Sequence, residues 1–317
     1  MNHESIDPIL LAGSATMPLT RAMAATLAIK PAARTVERFP DGELHVRLDE
    51  SVRGADVFIV QTLSPPAESH LLEMLFLADA CRRAGADRIT AVIPYLAYAR
   101  QDRRAKGREA LGARIIADTL ATARLDRAIM IDVHVTSIEG FCQFPVEQLT
   151  AVPLLADAIR GAVPERAVIV APDARSVRLA QQYSRRLDLP VAAIQKLRVS
   201  GTEVRAVAVA GDVAGRAPVI VDDMISTGGT VQAAADALLA AGCLPTFVVA
   251  ATHGLFVGGA VDTLQQISIE RLITTDTLPQ DEQRPLPLQV ISVAPLLAEA
   301  VKRLHDGRSM TGLLAHE

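Results

Sequence analysis

Tryptophan is absent from the 317 residues, and aromatic side chains make up only 3% of them. With half the residues hydrophobic and 21% charged, that balance fits an α/β protein rich in Ala, Val and Leu. An excess of basic charge is also missing. The formal net charge is -4 and the isoelectric point about 6.0, which argues against a surface built to coat nucleic acid. Cysteine is scarce: Cys81, Cys142 and Cys243 lie far apart, which excludes a CxxC zinc or redox motif and any dense disulfide framework. A reducing cytoplasm is the expected compartment. The first residues, Met1-Asn2-His3-Glu4-Ser5, carry no apolar core of a secretory signal. Residues 237–261 lack charge, but Gly242, Pro245, Thr252, His253 and Gly254 divide them, so they predict a helix end, a buried strand and a loop, with no membrane partner. No low-complexity segment, charge block or sequence repeat is evident.

What is present has the size of two domains, at roughly 150 residues each. Short aliphatic runs at 9–12, 57–61, 88–93, 128–131, 167–170, 190–194, 204–209, 219–221, 246–250, 271–274 and 288–292 read as strands. Continuous apolar strands of this kind suit a parallel sheet covered on both faces. Between them lie Ala-rich segments with helical spacing, one leading to Gly85 and one, 231–241, ending at Gly242. The proline-flanked stretch 145–153 marks a boundary, giving domains over 1–149 and 150–295. A closing amphipathic helix within 296–317 is expected to return to the first domain.

The most informative segment is Val219-Ile220-Val221-Asp222-Asp223-Met224-Ile225-Ser226-Thr227-Gly228-Gly229-Thr230. A buried strand ends in two carboxylates, and a loop of glycine and hydroxyl residues then opens a helix. Unpaired N–H groups at a helix start, with the helix dipole, form a phosphate site. Gly228 and Gly229 let the main chain approach the anion. The acids precede the loop, so they are not the ribose-binding acid of a dinucleotide fold, and no Walker lysine follows. A sugar phosphate fits, with its phosphate in the loop and vicinal hydroxyls on Asp222 and Asp223. The alternative is a helix capped by Ser226 or Thr227 beside two solvated acids.

That segment resembles the phosphoribosyl diphosphate motif shared by phosphoribosyltransferases and ribose-phosphate diphosphokinases. Phe39-Pro40-Asp41-Gly42-Glu43, the run from Ile93 through Tyr95 and Tyr98 to Arg100-Gln101-Asp102-Arg103-Arg104, Ile131-Asp132-Val133-His134, Gly140-Phe141 and Thr252-His253-Gly254 resemble the diphosphokinase pattern, in that family's order. The resemblance implies two similar phosphoribosyltransferase-type domains, each a mainly parallel sheet flanked by helices, with the active site between them. It implies transfer of the diphosphoryl group of ATP to ribose 5-phosphate with Mg2+, giving 5-phosphoribosyl 1-diphosphate and AMP, in a homo-oligomer built from dimers up to a hexamer.

By the same resemblance Ser226, Thr227, Gly228, Gly229 and Thr230 hold the 5-phosphate, and Asp222 and Asp223 the ribose hydroxyls. Phe39, Asp41 and Glu43 cradle adenine from a neighbouring subunit, Arg100 and Gln101 contact the nucleotide, and His134 and Asp173 take metal and phosphate contacts. Their chemistry suits those tasks: Arg forks match phosphate oxygens, a Phe face matches a purine, and Mg2+ takes oxygen ligands. Phe39 as a core ring and His134 as partner of a buried carbonyl are the alternatives.

Lys196 and Arg198 fall in the family's flexible catalytic loop, before Val199-Ser200-Gly201-Thr202, in a chain with only four lysines. The pattern departs from many members at Ser226, at Leu197 and in the turn Pro172-Asp173-Ala174-Arg175-Ser176, which bears on phosphate activation, ADP inhibition and donor strictness. A catalytically silent regulatory paralogue and a phosphoribosyltransferase are the competing readings.

Overall fold

The computed structural model describes residues 7–198 and 204–315, apart from Ala105, Ala162, Pro164, Glu165 and Glu282. Two compact units emerge, one formed by residues up to Thr150 with 277–279 and the chain from Ser292 onward, the other by 151–276 with 280–291.

In the first unit, β1 (Ile9–Ala12), β4 (Asp56–Val60), β5 (Arg88–Ile93), β6 (Arg127–Ile131) and β7 (Val146–Leu149) form one parallel sheet in that order. The helices are α1 (Met17–Leu27), α2 (Ala67–Arg83), α3 (Gly112–Thr122) and the closing α8 (Ala294–His305). β4 and β5 are almost wholly buried, as their mostly apolar runs after the first residue lead one to expect. β2 (Arg34–Arg38) and β3 (Leu44–Leu48) stand apart as an antiparallel pair. Helix α8 packs on α1, and its Leu297, Ala298 and Val301 are buried. Its end is fixed by Asp56, whose Oδ2 lies 2.9 Å from His305 Nδ1, while Arg88 Nη2 donates to Leu304 O.

The second unit contains α4 (Val152–Arg160), β8 (Ala167–Ala171), α5 (Val177–Leu187), β9 (Val191–Arg198), β10 (Val204–Ala210), β11 (Ala217–Ile225), α6 (Gly229–Ala240), β12 (Phe247–Gly254), α7 (Ala260–Gln265), β13 (Ile269–Thr275) and β14 (Leu288–Ile291). Its sheet runs β10-β9-β8-β11-β12-β13-β14, with only β10 antiparallel to its neighbour. Val168, Val170, Ile220, Val249 and Leu272 form the core under it, each burial contributing about 1.5–3 kcal/mol.

The two units repeat one order of elements, in keeping with the two similar domains that the resemblance implies, although no sequence repeat is evident. Strand, helix, antiparallel hairpin, strand, helix, strand, helix and two further strands occur in both. The helix that closes the first series, α4, belongs to the second unit, and the one that closes the second, α8, to the first.

Four expectations change. β11 continues through Asp222 and Asp223 to Ile225, so the acids lie on a strand and not beyond it. β9 continues to Arg198, because β10 pairs with it residue by residue: Lys196 faces Val207 and Arg198 faces Val204. Thr252-His253-Gly254 is the end of strand β12 and not a loop. The stretch 145–153 holds strand β7 and the start of α4.

Candidate active site

In the second unit the candidate residues gather at the carboxyl ends of neighbouring strands, where open α/β sheets bind ligands. Asp222 and Asp223 lie on β11, and Asp173 follows the adjacent β8. Asp173 Oδ1 accepts from the N–H groups of Arg175 and Ser176, at 2.8 and 3.0 Å, which closes the turn into α5. Asp222 Oδ1 accepts from Ser176 Oγ at 2.8 Å and from the Asp223 N–H at 3.0 Å. Although part of Asp222 meets solvent, its carboxyl is enclosed. Burial, then the charge of Asp223, hold its pKa well above the usual carboxylate range.

Residues 226–228 connect β11 to α6. Gly228 takes a left-handed φ of +80°, and the Cβ of any replacement would sit 3.2 Å from Leu264 Cγ and 3.3 Å from Thr263 Cγ2. The loop is held from behind. Val257 N–H donates to Ser226 O at 3.0 Å, and Leu255 and Phe256 both donate to Ile225 O. Helix α6 has Gly228 at its N-cap and no side-chain capping bond. Ser226 and Thr227 therefore do not cap it, which removes the bland reading of these hydroxyls. Among the described residues, the N–H groups of 226–231 meet no backbone acceptor, and the first turn closes only with Gln232 N–H to Gly228 O at 3.0 Å. N–H groups and hydroxyls are thus left open at a helix start, the kind of place where anions bind.

Lys196 and Arg198 sit in β9, the neighbour of β8 on its other side. Their backbone is described; the following residues of the expected catalytic loop, Val199-Ser200-Gly201-Thr202, lie outside the described residues.

In the first unit Arg100 and Gln101 follow β5, and His134 follows β6, its neighbour. Gln101 N–H donates to Tyr98 O at 2.9 Å, and Gln101 O accepts from Ala113 at 3.2 Å, which fixes the turn at the start of α3. Tyr98 holds a left-handed φ and donates to Glu68, whose carboxyl is lowered by that bond. Arg100 is exposed and His134 half-buried.

The β2–β3 hairpin carries Phe39, Asp41 and Glu43 at its tip. Phe39 N–H donates to Glu43 O at 2.9 Å, and Glu43 N–H to Asp41 Oδ1 at 3.0 Å. Phe39 is 46% exposed and its ring lies 5.2 Å from that of His45, so it is not a core residue. Asp41 and Glu43 are exposed beside it.

The two units are not equivalent as sites. Where the second has acids on β11 and glycines after it, the first passes from β4 to α2 through Gln61-Thr62-Leu63-Ser64-Pro65-Pro66. Ser176 is the residue that sequence reasoning missed; its signal is a hydroxyl three places after Asp173. Among the described residues no three His, Cys, Asp or Glu side chains gather as a ready metal site, and no helix is long and apolar enough to cross a membrane.

Comparison with known proteins gives a consistent result. Residues 8–123 match the N-terminal domain of ribose phosphate pyrophosphokinase, and residues 197–315 match the phosphoribosyl synthetase-associated domain. The chain is 39% identical over 305 residues to a ribose-phosphate pyrophosphokinase of Aquifex aeolicus, covering 96% of this chain and 98% of that one. It is 40% identical over 316 residues to the Corynebacterium efficiens protein of the same name, covering 98% and 96%. The crystal structure of phosphoribosylpyrophosphate synthetase from Mycobacterium smegmatis superposes with a TM-score of 0.89 at 38% identity, over 95% of this chain and 100% of that chain. With both halves matched and the similarity running the length of the relatives, the chain belongs to the ribose-phosphate pyrophosphokinase family.

Proposed function

We propose that the chain transfers the diphosphoryl group of ATP to the anomeric hydroxyl of ribose 5-phosphate, with the residue roles that follow. Family membership over nearly the whole chain carries the reaction. The observation that carries the site is the uncapped loop at 226–230, with two acids immediately before it. The 5-phosphate takes the free N–H groups and the hydroxyls of Ser226, Thr227 and Thr230. Asp222 and Asp223 accept from the vicinal ribose hydroxyls, so phosphate and sugar are gripped at both ends and the anomeric oxygen is aimed outward.

That oxygen attacks the β-phosphorus of ATP, the bond to the α-phosphate breaks, and AMP leaves. Such transfers are accelerated mainly by alignment and by neutralising charge on the migrating group. Lys196 and Arg198 supply fixed positive charge for it. Arg100 and Gln101 take the nucleotide phosphates, and the exposed face of Phe39, with Asp41 and Glu43, takes adenine.

The family generally uses Mg2+, which supplies neutralisation of the ATP phosphates. Asp173 fits it: Oδ1 is occupied by main-chain donors, while Oδ2 has no hydrogen-bond partner among the described residues. Mg2+ favours one or two carboxylates with substrate oxygens and water, so Asp173 could serve as one of them, and His134 would act through water or on phosphate. A hairpin tip with an exposed Phe suits service to a neighbouring subunit in a dimer-based homo-oligomer.

The test is incubation with ATP, ribose 5-phosphate and Mg2+. AMP and 5-phosphoribosyl 1-diphosphate are expected. Tight ribose 5-phosphate binding without turnover would instead identify a silent regulatory paralogue.

A further inference from the structure

Ser176 stands at the N-cap of α5, where a serine ordinarily turns back to accept from its own helix. It makes no such bond. The residue is only 6% exposed, and its hydroxyl lies between two acids of different segments. Oγ is 2.8 Å from Asp222 Oδ1 on β11 and 3.2 Å from Asp173 Oδ1 in the turn after β8. A hydroxyl has one hydrogen to give, and the shorter distance assigns it to Asp222. The Asp223 N–H reaches the same oxygen at 3.0 Å. Two donors on one oxygen pin rotation of the Asp222 carboxylate, so its second oxygen keeps a single orientation.

We propose that Ser176 is a positioning residue for ribose 5-phosphate: its hydroxyl fixes the Asp222 carboxylate for the ribose hydroxyls and links it to the Asp173 turn. The inference rests on the reading that Asp222 and Asp223 bind those hydroxyls. Ser176 needs no contact with substrate. Groups that only orient a binding group matter because a carboxylate free to turn must be ordered at each binding event. The link also joins the sugar end of the site to the turn proposed to face Mg2+ and diphosphate.

The test compares the full-length wild type with Ser176→Ala, Ser176→Thr and Asp222→Asn, measuring KM for each substrate, kcat and Tm. Ser176→Ala should raise KM for ribose 5-phosphate about ten- to a hundredfold, the range seen when orienting partners are removed. KM for ATP and Tm should stay near wild type, and Ser176→Thr, which keeps the hydroxyl, should recover most of the affinity. If Asp222→Asn weakens ribose 5-phosphate while Ser176→Ala does not, the positioning role is wrong and the acid pair stands. If Asp222→Asn leaves the affinity intact, the reading of the acid pair fails and the inference with it. Equal increases in both KM values with a lower Tm would show general damage to the turn and overturn the specific role.

Discussion

Replacing Asp222 by Asn should make the protein more stable and less able to bind ribose 5-phosphate. Burial and the neighbouring Asp223 hold the Asp222 carboxyl well above its ordinary pKa. The unfolded chain has the ordinary value near 3.9, so between the two values the native state binds more protons than the unfolded state. Stability contributed by this group is therefore greatest at acid pH and falls as pH rises through that interval. Above that interval the native state carries an unfavourable buried charge, which the neutral amide removes.

An amide also keeps the local geometry, since the Asn oxygen can accept from both Ser176 Oγ and the Asp223 N–H, as Asp222 Oδ1 does. Each unit of pKa shift corresponds to about 1.4 kcal/mol. Partial exposure of the residue and relaxation reduce what is recovered to on the order of 1 kcal/mol, or about 2–4 °C in Tm. The loss of a charged acceptor for the ribose hydroxyl costs about 1.5–3 kcal/mol, roughly ten- to a hundredfold in affinity. Scanning calorimetry at several pH values reads the first effect, and the gain should narrow as pH falls towards about 4. Titration with ribose 5-phosphate reads the second. A variant that is less stable at neutral pH, with wild-type affinity for the sugar phosphate, would refute the reasoning.

Lys196→Ala and Arg198→Ala should each lower kcat about a hundred- to a thousandfold with much smaller changes in KM; unchanged turnover in steady-state assays would remove these residues from the mechanism. Gly228→Ala must hold φ near +80° with its Cβ 3.2 Å from Leu264 Cγ. It should lose about 1–2 kcal/mol in denaturant unfolding and weaken ribose 5-phosphate binding, and wild-type values would contradict the loop assignment. Cys81, its thiol pushed up to about 12 by burial, should resist thiol reagents at pH 8 until the chain is unfolded; rapid native labelling would contradict its burial. Co-expression of a Phe39→Ala, Glu43→Ala chain with a Lys196→Ala chain should restore part of the activity each lacks. Demonstrably mixed oligomers without rescue would show that the hairpin does not serve a neighbour.

Strands with buried, mostly β-branched or aliphatic runs were legible: β8 has no polar side chain, and β5 has only Thr90 after its first residue. β2 and β3 were not. Their strands alternate, but neither face is buried, so Arg34, Glu37 and Arg47 dilute the signal. β7 was hidden by Glu147 and Gln148 within four residues, read instead as a linker between prolines. The ends of β9, β11 and β12 ran past the apolar segments because pairing partners, and not their own side chains, extend them.

The strand, loop and helix around 226–230 were legible because a buried apolar run, then glycine and hydroxyl residues, precede an Ala-rich helical segment. Ser176 was not, because its importance lies in meeting Asp222 across 46 residues of sequence. The two similar domains were implied by the resemblance, but their residue-level correspondence was not legible: Gln61-Thr62 follow β4, Asp222-Asp223 lie on its counterpart β11, and the pairs share no chemistry.

The most direct measurement follows phosphorus itself. Wild-type protein is given ribose 5-phosphate, Mg2+ and ATP labelled at its β-phosphorus, beside the Lys196→Ala and Asp222→Asn, Asp223→Asn variants. The account predicts that the label leaves the nucleotide and appears in 5-phosphoribosyl 1-diphosphate, one molecule for each AMP formed, with both variants far slower. Label retained in ADP, or turnover in the variants equal to wild type, would contradict diphosphoryl transfer at this site.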